Sequence, residues 1–325
     1  MASSIDVTQI GKYVDQISGA LKHESVLLGN TQELITVLPN IKYAQTLNKI
    51  SSNLVAQNGG CSLINATGSV ILQQNTIQVQ NIKIEEIICL EDIEAIYLGM
   101  SMKSGANQEE FGPAEFSTVY AADKSLKIAA MIEDMLWRGS SANHYSTDPN
   151  MTLATGFLEL FEYTSATNSI VSGNGTFSTN VTMTPTNALS IMDSLISAMN
   201  NNASQILTEN DLTIFISFAD FNTLVTALRQ ANYFHFTVGQ EETGAQRWSF
   251  NYPGTNILVQ ATRGLNNTNK RLLTNASNLV MGTDLVSDYS TFRIWWEPLY
   301  DSIMFRNKLR LGTACYYFQN VVLFK

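Results

Sequence analysis

The chain has 325 residues, 45% of them hydrophobic, enough to fill one large core or two ordinary ones and to exclude disorder. Only 14% are charged, where roughly a quarter is usual, so Asn, Ser, Thr and Gln carry much of the polar surface, as on a protein largely covered by partners. A net charge of −9, with no Lys/Arg cluster, argues against a dedicated nucleic-acid binder.

Residues 5–28 space Ile10, Tyr13, Val14, Ile17, Leu21 and Leu28 as a loosely amphipathic helix stopped by Gly29-Asn30. From 34 to 50 the apolar residues Ile35, Val37, Ile41, Tyr43 and Leu47 fall on odd numbers, the period of a strand, with Pro39 favouring an edge. A glycine-rich tip containing Asn58, Gly59, Gly60 and Cys61 follows, and then a second strand. There Ile77 and Val79 alternate, with Ile82 and Ile84 one residue out of phase, which signals a bulge or bend. Residues 34–89 thus read as a two-armed β excursion, and a two-stranded ribbon needs further support, its own or a neighbour's, to be stable.

Gly112-Pro113 opens a helix running to about 138. Its second half places Ile128, Met131, Ile132, Met135 and Leu136 on one apolar stripe. A short apolar piece, GFLELFEY, precedes a Ser/Thr/Asn/Gly-rich connector over 164–182. Thr184-Pro185 starts a helix with Met192, Leu195, Ile196 and Met199 inward; Leu212 to Phe218 is a buried strand; Asp220 is a candidate cap for a helix with Phe221, Leu224, Val225 and Leu228 inward. Strands are expected over 233–238, 256–261, 279–281, 291–296, 301–311 and 315–324.

Each chemical lead weakens on inspection. There is no GxxxxGK[ST], no GxGxxG after a strand and no GxSxG, so no cofactor and no serine nucleophile is expected. His23, His144 and His235 are scattered, as are Cys61, Cys89 and Cys315, read as free thiols, and no metal spacing exists among them. The adjacent Glu133 and Asp134 point about 100° apart on a helix and are expected on its solvated or intersubunit face. Asp123 and Lys127 form an i,i+4 pair. Lys270-Arg271 and Arg306, Lys308 and Arg310 read as solvated strand faces or intersubunit ion pairs. Trp295-Trp296 cannot form one stacking platform, because consecutive strand residues face opposite ways. No run of about 18 apolar residues occurs, and Met-Ala-Ser-Ser-Ile-Asp lacks a basic region and an apolar core, so neither a signal peptide nor a membrane partner is expected.

The order of parts resembles a tailed-bacteriophage major capsid protein of the Hong Kong 97-type fold. The residues that carry the likeness are Cys89-Leu-Glu-Asp92, the helix end Ile132-Glu-Asp-Met-Leu-Trp-Arg-Gly139, and the strand series Asp301-Ser-Ile-Met-Phe-Arg306 through Leu309-Arg-Leu-Gly-Thr313. The resemblance implies an α+β fold with an N-terminal arm (1–30), an extended loop (31–92), a peripheral domain around a spine helix (93–165 and 300–325) and an axial domain (166–299). It implies intersubunit contact at the loop tip, Asn58 to Cys61, and a core stripe on the spine, Ile128, Met131, Ile132, Met135 and Leu136, with the spine's acids at the surface. The function implied is a structural shell protein, not an enzyme, whose pentamers and hexamers form an icosahedral virion head around double-stranded DNA, assembled in the host bacterial cytoplasm. Its partners would be copies of itself, a portal, scaffold or decoration proteins, and DNA contacted non-specifically. Scaffolding is expected to be separate or already removed. Lys42 and Lys49 lie where some relatives cross-link.

Three other readings are weighed against it. An encapsulin-like nanocompartment has the same fold. A carbohydrate-active hydrolase would use Glu159 and Glu162 with Trp295 or Trp296, and needs two acids about 5–10 Å apart in a cleft. A tail or adhesion protein would instead form trimers or small rings.

Overall fold

The computed structural model describes residues 31–56, 68–89, 114–164, 170–172, 181–202, 204–231, 248–284, 292–297, 299–300 and 302–324. The expected helix over 5–28, the loop tip Asn58, Gly59, Gly60 and Cys61, and the strand over 233–238 lie outside these residues.

In chain order the described elements begin with a one-turn helix α1 (Thr31–Leu34), then strands β1 (Thr36–Leu38), β2 (Ala44–Asn53), β3 (Ser69–Gln78) and β4 (Gln80–Cys89). The long helix α2 (Ala114–Arg138) follows, then a helical stretch over 157–164 and β5 (Ile170–Ser172). Next come α3 (Ala188–Asn202), β6 (Leu212–Ser217), α4 (Phe218–Gln230), β7 (Ser249–Asn251), β8 (Leu258–Thr262), β9 (Arg271–Asn275) and β10 (Leu279–Gly282). The chain closes with β11 (Phe292–Glu297), β12 (Ser302–Cys315) and β13 (Val322–Phe324).

Helix α2 has 25 residues, about 38 Å at 1.5 Å per residue. Its stripe faces a five-stranded sheet in the order β1-β10-β12-β11, with β4 on β12. Ile128, Ile132, Met135 and Leu136 are buried there, and Met131 is half-buried at the stripe's edge. The sheet supplies Ile82, Phe305, Leu309 and Leu311 to the same interior, while Lys83, Ile87 and Lys308 point out to solvent, the two-residue alternation of a half-covered sheet. The helix stops where the Gly139 backbone crosses that of Gly156. The Gly156 amide donates to the Gly139 carbonyl at 2.8 Å, and a Cβ on Gly139 would stand 2.6 Å from the Ala154 oxygen. Trp137, fully buried, packs on Phe157 and Phe215, with Gly264 against its ring.

The second sheet has six strands, β5-β13-β9-β6-β8-β7, and a core of its own with α3 and α4. Met192, Leu195 and Met199 are buried and Ile196 half-buried. A turn over Thr184–Asn187 carries Pro185, and helix α3 starts only at Ala188. Ser217, not Asp220, caps α4: its Oγ accepts the Asp220 amide at 3.0 Å.

Two expectations about strand membership differ from the pairing found. The phase slip near residue 80 is a real break, at Val79, but it separates a two-stranded hairpin (β2–β3) from β4, which belongs to the body sheet through ten paired positions with β12. Strands β10 and β11, inside the stretch expected to be axial, pair with β12, while β13, expected in the peripheral return, sits between β5 and β9 in the six-stranded sheet. Strand order decides this, because antiparallel partners distant in sequence leave no local pattern.

The charged residues also depart from expectation. Glu133 and Asp134 are buried, not on a solvated face. Asp134 bridges Arg138 at 2.9 Å and Arg263 at 3.0 Å. Lys270 and Arg271 are buried within the chain, Lys270 on Glu162 at 3.4 Å and Arg271 on Asp220 at 2.8 Å. Arg310 meets Asp284 at 2.8 Å, and Arg306 meets Glu85 on the neighbouring strand. Intrachain pairing thus takes cations that the sequence suggested were solvated or intersubunit; Asp123 and Lys127 pair at 3.1 Å as their spacing predicts.

Candidate assembly surface

The hairpin β2–β3 holds ten paired positions, from Ala44↔Gln78 to Asn53↔Ser69, so each arm is about 33 Å long. Directly opposed residues share a face. At the root, the face carrying Leu47, Asn75 and Ile77 is pressed onto the body. Leu47, Ile77 and Val79 cluster with Ile41, Val280 and Ala314. Asn75 Nδ2 donates to the carbonyls of Cys315 at 2.8 Å and Tyr316 at 3.0 Å. Lys49 Nζ stands 5.9 Å above the Tyr317 ring.

Further out the apolar residues change face. Ile50 pairs with Leu72 and Ser52 with Val70, which puts Ile50, Leu72 and Val70 on the side of the ribbon opposite Leu47 and Ile77. Ile50 is 60% exposed, Leu72 78%, Val70 65%, and Leu54, just past the strand end, 94%. Ile71 is also exposed, on the other side. Leaving such large apolar groups in water forgoes about 1.5–3 kcal/mol each. These residues escaped the sequence reading, although a signal was present: the odd-numbered apolar series ends at Leu47, and Ile50 and Leu54 are even-numbered.

The residues that would serve a hydrolase are occupied otherwise. Glu159 accepts from or pairs with His144 Nδ1 at 2.7 Å, and Glu162 accepts from Tyr145 at 2.7 Å and faces Lys270. Burial and the Glu162 carboxylate push the Tyr145 phenol far above its ordinary range. Ser140 Oγ lies 3.4 Å from His144, but at Nδ1, the same nitrogen that meets Glu159. A nucleophile relay needs serine and carboxylate on opposite ring nitrogens, so this trio is a loop tie. Trp295 lies under the Arg306 guanidinium at 5.2 Å. No cluster of three or more metal-ligating side chains occurs among the described residues, and burial pushes the Cys315 thiol up to about 12, where it is inert.

A groove of about 680 Å³ runs between β4 and α2, floored by Ile82, Ile128, Met131 and Met151. Several of its charges are paired: Lys124 with Glu86 at 2.7 Å, Arg263 with Asp134 and Lys127 with Asp123. Tyr120 also donates to Glu86 at 2.7 Å, and the burial and charge around it raise its own pKa beyond the usual tyrosine range.

No protein-family model and no curated protein matches the sequence. Solved structures do. The capsid of Myoviridae phage XM1 aligns with a TM-score of 0.58 at 11% identity, over 95% of this chain and 96% of that one. Gordonia phage Cozz aligns with 0.58 at 11% identity, over 97% and 91%. The capsid of a native GTA particle aligns with 0.52 at 12% identity, over 98% and 97%. Near-complete coverage in both directions shows that this chain, with its helices and two larger sheets, has the α+β capsid fold of the Hong Kong 97 type.

Proposed function

We propose that the chain is a major capsid protein, whose hexamers and pentamers close an icosahedral head around phage double-stranded DNA. The observation that carries this reading is the outer half of the hairpin, where Ile50, Leu54, Val70 and Leu72 stand in water on the side turned away from the ribbon's own anchorage. Contiguous exposed apolar surface of this kind marks a protein contact, and a neighbouring copy supplies it in a shell. The tip, Asn58 to Cys61, would continue that contact, and α2 would serve as the beam on which the peripheral strands pack.

In this assignment residues 1–30 form an arm, the hairpin an extended loop, the five-stranded sheet with α2 the peripheral domain, and the six-stranded sheet with α3 and α4 the axial domain. Portal, scaffold and decoration proteins are the partners such a shell would take, with DNA contacted non-specifically inside a virion assembled in the bacterial cytoplasm. The acidic balance suits a container that must not grip its genome.

Negative-stain microscopy of the purified chain tests the proposal. Closed shells, or rings of five and six, are expected; a monomer that stays monodisperse at high concentration would refute it. Shells recovered with protein cargo and no nucleic acid would replace the virion with an encapsulin-like compartment.

A further inference from the structure

Glu133 is 2% exposed, and among the described residues no cation lies within ion-pair distance of it. Its carboxylate accepts the hydroxyl of Thr31, whose Oγ1 in turn accepts the Trp137 indole N–H at 2.9 Å. Thr31, the first residue of α1, is itself fully buried. A buried carboxylate held only by neutral donors is poorly compensated when ionised.

The surrounding charges do not help it. On α2, Asp134 adds a like charge next door, and both nearby cations, Arg138 and Arg263 of the turn over 263–265, bind Asp134 instead. Glu33 of α1 is exposed. In the stretch over 157–164, Glu159 is held by His144 and Glu162 by Tyr145 and Lys270. On β12, Lys308 is exposed, on the face away from Leu309, which packs toward the helix.

We propose that the Thr31–Glu133–Trp137 cluster is a proton-operated latch that holds the short helix α1 against the long helix, closed when the carboxyl carries a proton and loosened when it ionises. Burial is the main cause that lifts the Glu133 pKa from an ordinary 4.5 to about 7; the Asp134 charge adds to it, and the Thr31 and Trp137 hydrogen bonds oppose it. The closed cluster therefore binds a proton that an opened, hydrated one releases, and rising pH favours opening. The latch is a property of the single chain and stands apart from the shell proposal.

Hydrogen exchange of the full-length chain, read on the amides of residues 31–35 and corrected for intrinsic rates, tests it. Between pH 5 and pH 8 the wild-type opening constant is expected to rise roughly 70-fold, the ratio that linkage gives for a shift of this size. Glu133→Gln keeps the same donors engaged without the charge, and should stay protected with a flat pH profile. His144→Gln, which removes the one histidine among the described residues, should leave the slope unchanged. A flat wild-type profile, or a Glu133→Gln profile as steep as wild type, overturns the latch. Should Glu133→Gln not fold, Thr31→Val decides: losing the hydroxyl must shift the midpoint to higher pH, and an unmoved midpoint refutes the proposal.

Discussion

Replacing Leu72 by Asn should weaken assembly without weakening the fold. The side chain is 78% exposed in the single chain, so the substitution removes little native packing and should change unfolding free energy by no more than about 0.5 kcal/mol. In a shell each copy lays down one hairpin, and covering a leucine contributes about 2 kcal/mol per subunit. Since each 1.4 kcal/mol is tenfold in an equilibrium constant, the concentration at which assembly begins should rise roughly 30-fold. Light scattering across a concentration series reads that threshold, and urea melts of the unassembled chain check the fold. Leu47→Ala is the counterpart: Leu47 is buried at the hairpin root, and its truncation should cost about 2–5 kcal/mol of folding stability. If Leu72→Asn leaves the threshold unmoved with the fold intact, the outer face of the ribbon is not an assembly contact.

Glu133 also sets a pH dependence of global stability. Its pKa is raised on folding, so its favourable contribution is present in full below about 4.5 and is lost as pH rises through about 7; the full span is about 3 kcal/mol. Glu133→Gln should therefore gain on wild type in urea melts at pH 8 relative to pH 5, and equal differences at the two pH values would contradict this. Arg271 is 0% exposed, with Asp220 as its carboxylate and the carbonyls of Val181 and Asn269 as its other acceptors. Asp220→Ala should cost about 3–5 kcal/mol by stranding that guanidinium, and adding Arg271→Met should recover part of the loss; a double variant no more stable than Asp220→Ala by thermal denaturation would show that the pair is not the source.

What the sequence revealed followed from short-range periodicity. The stripe from Ile128 to Leu136, the run Leu212–Ser217 and the break beside Val79 all announce themselves within ten residues, because helix and strand repeat at 3.6 and 2. The burial of Glu133, Asp134 and Arg271 had no such signature. Asp220 and Arg271, and Asp134 and Arg263, are partners 51 and 129 positions apart, and Glu133 is reached by Thr31 from 102 positions away, so no local pattern announces these contacts. Sheet membership was hidden for the same reason: β4 and β12 meet across more than two hundred residues. The outer apolar face of the hairpin was legible in part, through the shift from odd to even positions between Leu47 and Ile50, but its exposure depends on what the body fails to cover.

The hairpin's anchorage explains why a ribbon that cannot support itself can still be useful. Two strands alone are marginal in water, and a limp projection would make contact at many angles. Here the root is fixed from several directions at once. Asn75 ties it to the carbonyls of Cys315 and Tyr316 at the end of β12; Leu47 and Ile77 fill the space against Val280 of β10 and Ala314 of β12; and β4 continues directly from it into the central pairing with β12. The same strand that forms the spine of the five-stranded sheet therefore sets the direction in which the hairpin leaves the body. Rigid support of a contact surface lowers the ordering cost of association, so under the proposed assembly the long β12 strand would contribute although it carries none of the proposed outer contacts.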